Sequence, residues 1–371
     1  MEQKIKINAG IIGATGMVGQ RFITLLANHP YFNISVLAAS PNSAGKKYSE
    51  AVDGRWKLSV PMPGEVKNMI VYDASDIEKV SGMCDFVFCA IDMPKKEDIK
   101  NLEEAYAKAE TPVVSNNSAC RNYPDVPMLI PEINGNHIEV IETQRKRLGT
   151  KTGFIAVKPN CSIQSYVPML SPLLKFGIKE VVVSTYQAIS GSGKTFKEWP
   201  EMIDNVIPYI GGEEEKSEKE PMKIWGCIKN GVVENAQSPV ITSQCIRVPV
   251  TDGHLATVFM NFADKNNKPS KEEIIKLWKE FKGEPQILNL PSAPKQFIYY
   301  FEEDNRPQTK PDRDLEDGIG MAISAGRLRE DPAGLFDYKF VGLSHNTLRG
   351  AAGGGVLSAE LLYKKGYIIK K

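Results

Sequence analysis

The sequence has almost no imbalance of charge and few residues that could bind a metal or cross-link the fold. Forty-six Lys and Arg stand against 45 Asp and Glu in 371 residues, a formal net charge of +1. That balance argues against a nucleic-acid or membrane-surface partner held by bulk electrostatics. Only six cysteines and four histidines occur. The cysteines, at 84, 89, 120, 161, 227 and 245, lack disulfide-framework spacing. Free thiols in a reducing, cytoplasmic compartment are therefore expected. No C-x-x-C, H-E-x-x-H or His/Cys cluster appears, so no metal site is expected. No apolar run reaches about 18 residues, so no segment reads as a membrane span. Internal repeats and low-complexity segments are also missing. Lys4 to Gly19 opens like a signal peptide, with two lysines before an apolar stretch, but its regular glycines and Arg21 argue otherwise. What is present is 42% hydrophobic and 25% charged residues, the proportions of a globular protein. The length suggests two domains, each able to bury a core.

The first half alternates β-branched runs with helical spacing, which predicts a parallel sheet covered on both faces. Strands are expected at Ile5–Ile12, Ile34–Ala39, Met69–Tyr72, Asp85–Ala90, Pro112–Val114 and Phe154–Val157. Helices are expected at Gly16–Asn28, Lys96–Lys108 and His137–Arg147. In the second half the candidate strands are Glu180–Ile189, Pro239–Val250, His254–Phe262, Phe297–Phe301, Gly320–Arg327 and Tyr338–Leu343. Their longer connections predict a mostly antiparallel sheet, with helices at Ile163–Phe176 and Lys271–Phe281. Glu213–Glu220 and Asp304–Asp317 read as solvated loops, and Thr347–Lys365 as a closing helix.

The first strand runs into Gly10-Ile11-Ile12-Gly13-Ala14-Thr15-Gly16-Met17-Val18-Gly19, with a glycine every third residue. A tight turn alone would explain the glycines. The strand before and the amphipathic helix after them point instead to a Rossmann-type dinucleotide site, with pyrophosphate on a helix N-terminus. The residue that selects NAD is an acid about 20 positions further on. The stretch Ala38 to Lys47 has no acid but contains Ser40, Ser43, Lys46 and Lys47. Hydroxyls and lysines suit a 2′-phosphate, so NADP is preferred.

Pro159-Asn160-Cys161-Ser162 follows the expected strand Phe154–Val157 and precedes an expected apolar helix. A cysteine at a helix N-terminus has its thiolate stabilised, which lowers its pKa. Cys84 and Cys89, in an apolar strand, suit a buried structural role better. Of the histidines, His29 before Pro30 and His137 on an exposed helix read as bystanders, and His345 as structural. His254 follows Arg247 by seven residues in a strand–turn–strand setting. Arg247 offers a fork for a carboxylate, and His254 a group that moves protons near neutral pH. Ser190-Gly191-Ser192-Gly193-Lys194-Thr195 ends like a Walker A loop, but the pattern requires glycine where Ala188 stands.

Gly13 to Gly19, Pro159 to Ser162, Tyr186 to Gly193, Arg247 to His254 and Ser344 to Gly353 occur in one order along nearly the whole chain. In that combination the sequence resembles aspartate-semialdehyde dehydrogenases, particularly the archaeal and fungal branch. The resemblance implies an α/β protein: an N-terminal Rossmann-type domain, residues 1–158 with 347–371, and an α+β catalytic and oligomerisation domain, residues 159–346. It implies Cys161 as nucleophile and His254 as proton acceptor. Gln187 and Arg247 would orient the substrate, and Glu213 would receive its amino group. Arg121 and Lys216 would hold phosphate. Gly13, Thr15, Gly16, Met17, Val18, Ser40, Ser43, Ser190, Gly191 and Asn346 would line NADP.

The implied reaction is NADPH-dependent conversion of aspartyl phosphate to aspartate semialdehyde and inorganic phosphate through a cysteine thioester, in lysine, threonine and methionine biosynthesis. The partners would be those small molecules and further copies of the chain, as a homodimer or homotetramer. Two other functions fit the same scaffold. A malonyl- or succinyl-CoA reductase would keep Cys161, His254 and the NADP loop without a paired phosphate site. A non-catalytic NADP-sensing module would have no use for nucleophile, base and arginine together.

Overall fold

The computed structural model describes residues 6–318 and 320–371. Six short strands make the first sheet: β1 (Ile7–Ile12), β2 (Phe32–Ala39), β3 (Val71–Asp73), β4 (Phe86–Cys89), β5 (Val113–Ser115) and β6 (Ile155–Val157). All pair in parallel, in the order β3-β2-β1-β4-β5-β6. The order reverses between β1 and β4, and ligands of such sheets bind beyond the carboxyl ends of the strands at that point.

The second sheet contains β7 (Ile178–Gln187), β10 (Val240–Arg247), β11 (His254–Phe262), β12 (Ile298–Phe301), β13 (Ile323–Glu330) and β14 (Tyr338–Ser344). A small hairpin, β8 (Cys227–Lys229) with β9 (Val232–Glu234), stands apart. The order is β10-β7-β11-β14-β13-β12. The three central pairings are antiparallel, as expected, whereas the two edge strands run parallel to their neighbours.

Period-two burial explains how this sheet carries a site. Along β7 the buried positions are Val181, Val183, Thr185 and Gln187; along β11 they are His254, Ala256, Val258, Met260 and Phe262. Gln187 and His254 therefore occupy the last core-facing positions at one end of adjacent strands. Arg247 ends β10 directly opposite Gln187.

Three expected elements differ. Residues 213–220 are no loop: helix α3 spans Glu213–Ile224, after α1 (Met17–Leu26) and α2 (Lys96–Lys108). Glu213, Ser217, Glu220 and Ile224 form its buried stripe at helical spacing, but three of the four are polar. Three acids in its first turn suit the positive end of the helix dipole. Residues 162–176 are three short pieces rather than one helix, because Pro168 and Pro172 interrupt the ladder. His137 is buried in a 3-10 turn, bonded to Asn134 and the Gly226 carbonyl, instead of lying on an exposed helix.

After α4 (Lys271–Glu280) and strands β12, β13 and β14, the chain returns to the first sheet. A wide turn at Leu348–Ala352 leads into α5 (Gly353–Lys364), whose Val356, Ala359 and Leu362 join the core of Ile11, Phe22 and Phe88. A Cβ at Gly355 would stand 3.0 Å from the Phe22 ring, which explains a small residue there. The wide turn is fastened by Arg349, which makes a bidentate pair with Glu132 at 2.9 and 2.6 Å, both side chains fully buried. Glu132→Ala would strand a buried guanidinium and is expected to cost about 3–5 kcal/mol. Urea unfolding checks this; an unchanged midpoint would contradict it.

Candidate active site

A cavity of 440 Å³ opens at the carboxyl ends of β1, β4 and β5 and faces the ends of β7, β10 and β11. Of the expected site residues, Met17, Val18, Arg121, Cys161, Ser190, Gly191, Glu213, Lys216 and Asn346 line it. Arg247 and His254 close one wall behind Gly191, where a Cβ would come within 3.0 Å of the guanidinium and 3.1 Å of the imidazole. Gln187 is fully buried and meets the site through Glu213, 3.3 Å away.

The nucleotide-side residues divide differently. Gly13, at φ +85°, packs where a Cβ would strike the Ala90 carbonyl at 2.5 Å, and a Cβ at Gly19 would sit 2.2 Å from the Gly13 oxygen. These two glycines permit close packing of the turn itself. Gly16, at the start of α1, is less crowded, with a Cβ 3.6 Å from the Gly13 oxygen, and no side chain caps the helix there. That end can accept an anion on free N–H groups. Thr15 is half-buried beside it, and its carbonyl accepts from Gln20. Ser40 is exposed in the turn after β2, while Ser43 is buried beneath, donating its backbone N–H to Ser40. Both lie outside the cavity lining. Asn346 is already engaged: it donates to Ser190 Oγ at 2.8 Å and accepts from the Gly253 N–H at 2.8 Å. It ties together the two loops that flank His254.

Cys161 Sγ lies 3.4 Å from His254 Nε2. The cysteine precedes a single 3-10 turn, Ser162–Ser165, not the longer helix expected. Burial first and Glu213 second push its thiol up, opposed by Lys158, Arg121 and Arg247. The lowered resting pKa expected from a helix terminus is therefore not found. Burial and the Arg247 charge push His254 down to about 3, so its ring is neutral. Nδ1 accepts the Ala188 N–H at 3.1 Å, which places the ring proton on Nε2, toward the sulfur. Arg247 donates to the Ala188 carbonyl at 2.7 Å, so both side chains hold the same residue.

Two ion pairs complete the floor. Arg121 pairs with Glu220 at 2.8 Å, and Lys216 with Glu213 at 2.8 Å. Burial raises the Glu213 carboxyl, but Lys216, Asn160 and Gln187 together bring it below its usual range. Arg121 Nε is buried with no partner among the described residues. An orphaned guanidinium N–H beside Cys161 is a vacant donor for an anion. No group of acids, cysteines and histidines suited to a metal occurs among the described residues.

Residues 8–141 match the family described as "Semialdehyde dehydrogenase, NAD binding domain", and residues 170–349 match "Semialdehyde dehydrogenase, dimerisation domain". Aspartate-semialdehyde dehydrogenase of Aspergillus fumigatus is 41% identical over 98% of this chain and 99% of that protein. The Methanothermobacter thermautotrophicus enzyme is 42% identical over 96% and 99%. The chain belongs to the aspartate-semialdehyde dehydrogenase family. Among solved structures, that of the Candida albicans family member with NADP covers 98% of this chain and 100% of its own, at 38% identity and a TM-score of 0.87. A Vibrio cholerae structure at 23% identity, TM-score 0.72, shares the fold.

Within this family frame, three site residues were not anticipated. Asn160 donates to both Glu213 oxygens at 3.0 and 2.9 Å, and its backbone N–H reaches Glu220 at 2.6 Å. Its place next to Cys161 was the available signal. Glu220 was hidden in the stretch read as a loop. Lys158 gave no signal beyond a single charge after an apolar strand. The 304–317 loop is also less solvated than expected: Asp312 is buried against Arg306 and accepts the Gln308 N–H at 2.6 Å. Arg313 donates to the Asp252 carbonyl at 2.8 Å, beside the turn that carries His254.

Proposed function

We propose that this chain catalyses NADPH-dependent reductive dephosphorylation of aspartyl phosphate to aspartate semialdehyde, and the phosphorylating oxidation in reverse. The observation that carries this reading is the convergence on Cys161 of His254, the carboxylate fork of Arg247 and the vacant Arg121 donor. Arg247 takes the substrate α-carboxylate, and Glu213, backed by Gln187 and Asn160, takes the amino group. Cys161, ionised to the thiolate before attack, adds to the acyl carbon, and the carbon–oxygen bond to phosphate breaks as the thioester forms. Arg121 and Lys216 receive the leaving phosphate. His254 stabilises the tetrahedral oxygen with the Nε2–H it presents in the resting tautomer. NADPH, when bound, would supply the hydride to the thioester carbon; the carbon–sulfur bond then breaks, releasing the semialdehyde and returning the Cys161 thiolate.

The fit to NADP rests on the open start of α1 near Gly13, Thr15, Gly16, Met17 and Val18, and on the acid-free turn with Ser40 and Ser43. Ser190, Gly191 and Asn346 face it across the cavity. Ser40→Asp is expected to weaken NADP binding about tenfold more than NAD binding, since a carboxylate would face the 2′-phosphate. Fluorescence titration of both cofactors checks it; equal effects would place the 2′-phosphate elsewhere.

The same reading assigns residues 1–158 and 347–371 to the nucleotide domain and 159–346 to the catalytic domain, supported by the return of α5 to the first sheet. It places the enzyme in the cytoplasm as a homodimer or homotetramer. Exposed Ile203, Val206 and Tyr209 flank Ile207, which bridges to Arg247 at the end of edge strand β10, an apolar group suited to a second copy. Among the described residues no helix is long and apolar enough to cross a membrane.

The deciding assay follows NADPH absorbance with aspartate semialdehyde, NADP and inorganic phosphate, beside malonyl-CoA with NADPH. Phosphate-dependent NADPH formation is the expected result. Oxidation of NADPH by malonyl-CoA alone would establish the acyl-CoA reductase instead, and cofactor binding without turnover the sensing module.

A further inference from the structure

Four cations surround Cys161, and they are not equivalent. Arg121 and Lys216 each have a carboxylate partner at 2.8 Å. Arg247 has none among the described residues, and in the proposed reaction its counter-charge arrives with the substrate. Lys158 also has no carboxylate within ion-pair distance among the described residues, and nothing in that reaction supplies one. Its side chain lines the cavity yet is only 3% exposed. Its Nζ donates to two carbonyls, Pro159 and Gly350. Both are neighbours of the nucleophile: Pro159 lies two residues before it, and a Cβ on Gly350 would stand 2.8 Å from Cys161 Cβ.

A buried ammonium held only by carbonyl dipoles is costly unless an anion forms beside it. The one group nearby that gains negative charge in the reaction and has no cation of its own is the sulfur. We infer that Lys158 is a positioning residue for the nucleophile: its ammonium, fixed by the Pro159 and Gly350 carbonyls, is the counter-charge against which Cys161 becomes a thiolate. His254 does not fill this role, because its ring is neutral and already carries its proton on Nε2. The electrostatics of the site agree. Lys158 is the largest of the influences that lower the Cys161 thiol, and the thiol in turn raises Lys158. Burial brings Lys158 down to about 7, opposed by Cys161, Glu220 and Glu213 and assisted by Arg121. Ammonium and thiolate favour one another's charged form, so the two form together as a pair, and an arginine at this position would keep its charge outright.

The inference rests on the proposed use of Cys161 as nucleophile, but its test needs no substrate. Iodoacetamide alkylation of the Cys161 peptide, followed by mass spectrometry across pH, reads the thiolate directly. In Lys158→Met the midpoint is expected to rise by about one pH unit, a roughly tenfold slower reaction at neutral pH, with NADP affinity unchanged. Lys158→Arg should keep the midpoint at or below that of the native protein. Coincident profiles for Met and native protein would overturn the inference. If Lys158→Met fails to bind NADP, Lys158→Arg decides alone, and a rise of its midpoint by about one pH unit above that of the native protein would also overturn the inference. Loss of semialdehyde turnover in the native protein, with the alkylation shift intact, would sink the proposed substrate and leave the role of Lys158 standing.

Discussion

Cys161→Ala is expected to abolish NADPH formation from aspartate semialdehyde and phosphate, by on the order of a million-fold, while the protein stays folded and binds NADP normally. In the proposed reaction the acyl group is transferred to Sγ, and without it no thioester links the hydride step to the phosphate step. Neither the imidazole of His254 nor the hydroxyl of Ser162 can substitute. The ring is neutral with its Nε2 protonated, and Ser162 Oγ donates to Asn160 Oδ1 at 2.6 Å within a fully buried network. Deleting the sulfur removes little packing, because Cys161 borders an open cavity on one side. Cofactor titration and stopped-flow turnover on one preparation separate binding from chemistry. Appreciable turnover in the variant would remove Cys161 from the mechanism. A loss of NADP affinity in step with activity would give it a structural role instead.

Why Cys161 was visible in the sequence, and parts of its setting were not, has a physical explanation. The strands of the second sheet announce themselves by alternation. His254 and Gln187 continue the core-facing rows of β11 and β7, so the pattern that predicts the sheet also aims the site residues. Parallel strands such as Phe86–Cys89 are buried on both faces and read as unbroken apolar runs. Helix α3 defeats this logic because its buried stripe consists of Glu213, Ser217 and Glu220, which face the floor of a polar site and not an apolar core. A hydrophobic pattern cannot report burial that is satisfied by ion pairs. Asp312 in the 304–317 segment escapes for the same reason, being buried through Arg306 and the Gln308 N–H. Cys161 misleads in another way. The local sequence suggests a helix terminus that would acidify the thiol, but Pro168 limits the helix, and burial, which depends on the whole fold, dominates.

Arg247→Lys is expected to lower turnover of semialdehyde roughly 100-fold with little change in melting temperature or NADP affinity. The charge survives, so an anionic substrate is still drawn to the cavity. What is lost is the planar fork. Arg247 uses one terminal nitrogen to donate to the Ala188 carbonyl at 2.7 Å and leaves the rest of the guanidinium free beside Gly191. A lysine has one nitrogen on a flexible stem, and can grip either the carbonyl or the substrate carboxylate with good geometry, not both. Ala188 matters because its N–H fixes the imidazole of His254. Loosening its carbonyl therefore disturbs the donor at the tetrahedral oxygen while the substrate loses its angle of approach to Cys161. The fall should appear mainly in kcat, since both faults act where the acyl carbon meets the sulfur. The Michaelis constant for phosphate should move little, because Arg121 and Lys216, the proposed phosphate ligands, stand on separate elements, paired with Glu220 and Glu213. A cold-labile or unfolded variant would make Arg247 a structural strut of the β10 end. A selective loss of phosphate affinity would mean that the carboxylate and phosphate ends of the site are exchanged.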